Sequence, residues 1–135
     1  MSRADPRTDP SILLVIAAGG ALGTLARYGV ARLVTVAPDA FPWATFWTNV
    51  SGSLVLGAVL TVLIRRHPTA THVRAFVATG FLGAYTTYST FAVETVLLSK
   101  DGNVPLACIY AAASLVAGFG AVVAGIAIGR RAAAP

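Results

Sequence analysis

An all-α integral membrane protein of four transmembrane helices, the third broken mid-membrane, is the fold class this sequence predicts. Three observations carry the reading. First, the 135 residues are 56% hydrophobic and 11% charged with a mean hydropathy of +0.76, whereas a soluble domain carries about 25% charged residues. Second, four segments exceed the ~18 apolar residues needed to cross a hydrocarbon layer ~30 Å thick: residues 12–36, 46–64, 76–98 and 104–128. Third, the third segment contains Gly80 to Phe91, G-F-L-G-A-Y-T-T-Y-S-T-F, with five successive hydroxyl side chains from Thr86 to Thr90. Bilayer hydrocarbon offers no water to pair backbone groups, so such a break survives only if it is buried in protein or lines an aqueous path. The break therefore points to transport rather than anchoring.

The chain reads as one four-span domain over residues 1–135. Its first nine residues, with Asp5, Pro6, Arg7 and Asp9, form a frayed polar tail before Pro10 opens the first helix. The first span is long, lacks a small-residue cleavage pattern and contains Arg27 and Arg32, which fits a membrane span better than a removed signal peptide. Gly19 and Gly23, four residues apart, make a flat face for close helix approach. Arg27 lies about 22 Å along the helix; it either snorkels to the headgroups or stands at a pore mouth.

The second span is uncharged and places Thr45, Asn49 and Ser53 along one side at i, i+4 and i+8. Either hydroxyl can bond back to its own helix. A carboxamide cannot satisfy two donors and an acceptor that way, so Asn49 must meet another helix or a permeating species. In the third span Glu94 is the only charge. A charge at the bilayer centre costs ~2.5–3.5 kcal/mol, so Glu94 and Arg27 turn away from lipid, and the two are candidates for pairing. The fourth span aligns Tyr110, Ser114 and Gly118 and repeats the glycine device at Gly125 and Gly129. Cys108, the only cysteine, reads as a small buried hydrophobe. Connections are short, so neighbouring spans run antiparallel.

Several function classes fall away. The embedded portion has one carboxylate and no nucleophile–base arrangement, so no enzyme is expected. His67 and His72 have no second cluster of ligand types to complete a side-chain metal site. Seven of ten basic residues lie in the tails and second loop, so the net charge of +5 reflects topology and acidic headgroups rather than nucleic acid.

The motifs G-G-x-L-G-x-x-A-R-Y (Gly19 to Tyr28), T-x-x-x-N-x-x-G-S (Thr45 to Ser53) and G-F-x-G-x-x-T-T-Y-S-T-F (Gly80 to Phe91) resemble the small bacterial fluoride channels, the Fluc or CrcB family. The resemblance spans all four segments in order. It implies a passive fluoride channel of the bacterial inner membrane, built as an antiparallel dimer from two chains, with two pores between them and a structural sodium ion (Na+) at the centre. It places Thr45, Asn49, Tyr88, Ser89, Thr90, Phe91, Tyr110 and Ser114 along the ion path, Arg27 and Glu94 at the vestibules, and the backbone carbonyls of Gly83 and Thr86 on sodium. It also implies that hydrogen fluoride enters by diffusion, ionises inside and leaves as fluoride, which relieves its toxicity. Fluoride is small and tightly hydrated, so its replacement ligands are close donors: amide N–H, hydroxyl O–H and the positive rim of an aromatic ring.

Two positions depart from the family pattern. Tyr88 stands where phenylalanine is usual, and Gly118 where the polar track continues with serine. A proton-coupled exporter of small cations, similar to the small multidrug transporters, is the competing class, but it centres on a first-span acid and this span has none. A non-conducting helper of a heterodimeric channel is the third. Arg3, Arg7, Arg65, Arg66, Arg74, Arg130 and Arg131 share one side, against Lys100 with Arg27 and Arg32 on the other. The positive-inside rule then puts both termini in the cytoplasm, and the expected partner is a second copy of this chain or a homologue of opposite orientation, the charge bias favouring the homologue.

Overall fold

The structure, a computed structural model, describes residues 9–37 and 39–134; the expected polar tail, apart from Asp9, lies outside them. Helix α1 runs Pro10–Leu33 and α2 Trp43–Arg66. Helix α3 covers residues 71–85 as a first turn Thr71–Arg74, a π-helical stretch Ala75–Leu82 and a last turn Gly83–Tyr85. Helix α4 is Tyr88–Lys100 and α5 is Val104–Ala132. Three helices, α1, α2 and α5, are each long and apolar enough to cross a membrane. At 24 residues, α1 and α2 each reach about 36 Å.

The third predicted span is thus two helices, neither of which crosses alone. Asp9 caps α1 by accepting the Ser11 N–H at 2.9 Å, with Pro10 at the first helical position where its missing N–H costs nothing. The second and fourth spans run past their apolar stretches into Arg65–Arg66 and Arg130–Arg131, cations that suit a helix C-terminus, whereas the first ends at Leu33, short of residue 36.

Two glycine seams set the packing. Helix α1 lies against α3 and α2 against α5. A Cβ at Gly23 would overlap the Phe81 carbonyl, and one at Gly125 would overlap that of Leu54. The predicted small-residue faces are therefore backbone-to-backbone contacts. A compact core forms where Leu98, Ala107 and Tyr110 pack with Phe41, Phe46, Phe91 and Leu106; Phe41 meets Tyr110 edge-on at 5.2 Å. Most remaining apolar surface faces outward: only 6% of the apolar window of α5 is buried. That surface must meet lipid or another chain. Cys108 lies on this outward side and is exposed, correcting its expected burial.

Candidate functional site

The chain leaves helical geometry at two residues. Thr86 has φ −76° and ψ 158°, Thr87 φ −148° and ψ 121°, and α4 begins at Tyr88. Asn49 of α2 fastens this break with both ends of its carboxamide. Its Oδ1 accepts the Thr87 N–H at 2.8 Å and its Nδ2 donates to the Thr87 carbonyl at 3.0 Å. So the carboxamide does meet another element, and one Nδ2 hydrogen remains uncommitted. Thr87 also caps α4, its Oγ1 accepting the Thr90 N–H at 3.2 Å and donating to Thr90 Oγ1 at 3.0 Å.

These bonds have a consequence for the preceding turn. In a continuous helix the Thr87 and Thr90 N–H groups would bond the carbonyls of Gly83 and Thr86; here they go to Asn49 and to Thr87 instead. Both carbonyls lose their helical donors. Gly83 itself stays helical, at φ −63° and ψ −33° with its N–H on the Ala78 carbonyl. Of these two residues, Thr86 alone leaves helical geometry. Gly83 lies on the exposed surface of the chain.

Thr87 separates two cavities. One, of about 280 Å³, is lined by Asn49, Ser53, Thr86, Tyr88, Phe91 and Ser114 among others. Its Ser114 hydroxyl is buried and has no hydrogen-bond partner among the described residues. The Tyr88 ring is 80% exposed and sits 6.0 Å from that of Phe91. The lining thus brings together a carboxamide, a lone hydroxyl and two aromatic rings, with no cationic side chain among the lining residues. The other cavity, about 260 Å³, holds Arg27 amid the hydroxyls of Thr24, Thr45, Thr48, Thr87 and Thr90.

Glu94 stands apart from Arg27. Its Oε1 accepts from Thr45 Oγ1 at 2.8 Å and its Oε2 from the Tyr110 hydroxyl at 2.7 Å. Tyr110 is fully buried. Of the residues expected along one path, Asn49, Tyr88, Phe91 and Ser114 come together, Thr90 faces the arginine cavity, Thr45 lines that cavity and binds Glu94, and Ser89 is exposed with its Oγ 3.3 Å from Thr87 Oγ1.

Sequence reasoning left Thr87 without a role although it organises the site. The available signal was a threonine three residues before Thr90 at the start of a helix, the usual N-cap choice.

A bundle of apolar helices with a broken helix stapled at its centre, and hydroxyl-lined cavities beside the break, is the build of a polytopic membrane protein. The model of the family described as "CrcB-like protein, Camphor Resistance (CrcB)" matches residues 14–126, and the chain belongs to that family. It is 38% identical over 117 residues, 87% of this chain and 91% of the relative, to "Fluoride-specific ion channel FluC" of Chlorobium luteolum. Proteins of the same name from Agrobacterium fabrum (38% over 120 residues, 87% and 95% covered) and Saccharophagus degradans (40% over 126 residues, 93% and 95% covered) are similarly alike.

Proposed function

We propose that this chain is one half of a passive, fluoride-selective channel that lets fluoride leave the cytoplasm across the bacterial inner membrane. The observation that carries the reading is the Ser114 hydroxyl, buried without a partner in the cavity that Asn49, Tyr88 and Phe91 share. An unpaired buried donor costs about 1–3 kcal/mol, and a small hard anion is the species that relieves it. The relatives' printed names support the same ion. Purified protein in liposomes should release fluoride to an electrode with no added energy and hold back chloride. Equal chloride release, or dependence on a proton gradient, would sink the reading.

The cavity is open on the side away from the chain, so a second chain completes it in this reading, in antiparallel orientation. The Gly83 and Thr86 carbonyls would then face their counterparts. Backbone carbonyls without donors suit a hard monovalent cation such as Na+, and when bound it supplies a fixed positive charge at the interface. The donor set fits it, because carbonyls of a broken helix need some partner within the membrane.

Orientation follows from charge. Both termini are cytoplasmic in this reading, and seven basic residues against three favour one direction of insertion. The natural partner is therefore a homologue of opposite bias. Reporters fused to the C-terminus decide it: signals from both sides, with the chain expressed alone, would show dual insertion.

A further inference from the structure

We propose that the groove between α2 and α5 at the arginine-rich end of the bundle binds one acidic phospholipid. The site is a cavity of about 370 Å³ with Leu56, Leu60 and Ile64 on one wall and Val122 and Ile126 on the other. Arg65 and Arg130 stand at its rim, both exposed. Thr61, the one hydroxyl in it, donates to the Gly57 carbonyl at 2.7 Å, so the walls present no free polar group.

Charge supplies the second half of the argument. Arg66, next to Arg65, is turned to the Ala134 carbonyl at 2.8 Å, whereas Arg65 and Arg130 face the groove. The described acids offer them nothing: Asp9 caps α1, and Asp39, Glu94 and Asp101 belong to the opposite end of the bundle. A guanidinium pair recognises a phosphate through parallel N–H donors.

Length then selects the occupant. From Leu56 to Arg65 is about 14 Å of helix and from Val122 to Arg130 about 12 Å. One leaflet contributes roughly 15 Å of hydrocarbon. The rim therefore stands at headgroup depth while the floor reaches toward the midplane, which is the shape of a phosphodiester with one acyl chain beneath it. Free phosphate would use the rim and leave the groove unfilled. The inference does not depend on which ion the channel passes, but it requires that the groove face lipid beyond Leu56, the residue it shares with the cavity beside Asn49.

Native mass spectrometry of the full-length protein with equimolar phosphatidylglycerol and phosphatidylcholine tests it. The expected result is retention of one phosphatidylglycerol per chain with about thirtyfold preference, the effect of two arginines at an anionic headgroup. Arg65→Gln/Arg130→Gln should bring the preference to about unity, and Arg65→Lys/Arg130→Lys should keep most of it. Arg66→Gln/Arg131→Gln removes the same charge beside the groove and should leave the adduct in place. No preference in the wild-type protein overturns the proposal. So does an equal loss in both glutamine pairs, which would mean diffuse surface attraction. Displacement of the lipid by millimolar inorganic phosphate also overturns it, because the acyl groove would then contribute nothing.

Discussion

Replacing Asn49 with alanine should loosen the helix break before it touches anything that passes through it. The carboxamide makes two hydrogen bonds, 2.8 Å from the Thr87 N–H and 3.0 Å to its carbonyl, and Thr87 is only 9% exposed. Alanine leaves both backbone groups without partners where water is scarce. Each orphaned group costs about 1–3 kcal/mol, so the pair costs roughly 2–6 kcal/mol. The Thr87 amide should then exchange with deuterium about 5- to 150-fold faster, the factor for the loss of its own bond. The same variant should lose most fluoride efflux in liposomes. Asn49→Asp separates the roles: it still accepts the Thr87 N–H but turns a second acceptor toward the Thr87 carbonyl, so conduction falls while exchange at Thr87 rises less. Unchanged exchange in Asn49→Ala, with intact efflux, would refute the staple.

The glycine seams give a second expectation: Gly23→Val and Gly125→Val force overlap with the Phe81 and Leu54 carbonyls and should destabilise by at least about 1–3 kcal/mol, whereas Gly29→Ala meets nothing within 4 Å and should melt normally in the purified protein. Tyr110→Phe strips one of two hydroxyls from Glu94 and should lower thermal stability by about 1.5–3 kcal/mol; an unchanged melting temperature would remove that bond from consideration. Tyr88→Phe should conduct nearly as well as the wild type while Phe91→Ala should not, because the Tyr88 hydroxyl makes no bond among the described residues whereas the Phe91 ring packs against both Tyr88 and Tyr110; the reverse ranking would show the aromatic pair is misassigned. The Ser11 backbone and side chain hold the Asp9 carboxyl below its usual 3.8, so the cap is intact above that value and is lost as pH falls through the lower folded one; amides at the start of α1 should exchange faster only in that acid range, and Asp9→Asn should abolish the pH dependence.

Composition and run length made the helix count legible, because twenty apolar residues leave few alternatives to a membrane-crossing helix. Glycine spacing likewise announced the seams, since Gly19, Gly23, Gly125 and Gly129 are spaced by one helical turn. The place of the break was legible only to within the hydroxyl run. Which amide deserts which carbonyl depends on Asn49 reaching across 38 residues of sequence, and a linear pattern carries no such distance. Cys108 illustrates the converse. An apolar neighbourhood in sequence says that a residue avoids water, yet a membrane protein satisfies that demand on its outside as readily as within. The hydrogen bonds from Thr45 and Tyr110 to Glu94 were hidden for the same reason as the staple, being contacts between α2, α4 and α5 rather than features of any one helix.

The two carbonyls released at Gly83 and Thr86 bear on how such a protein lives in a cell. In hydrocarbon an unsatisfied carbonyl costs several kcal/mol, and Gly83 lies on the surface of the single chain. A solitary copy therefore carries a standing penalty that no rearrangement of its own helices removes while Asn49 keeps hold of Thr87. In the two-chain reading proposed above, a cation held between the facing carbonyls offsets that penalty for both chains at once, so separation of the pair is slow. On that reading the supply of unpaired chains is set by synthesis rather than by exchange between finished assemblies, and an unmatched copy keeps the uncovered carbonyls in its own backbone.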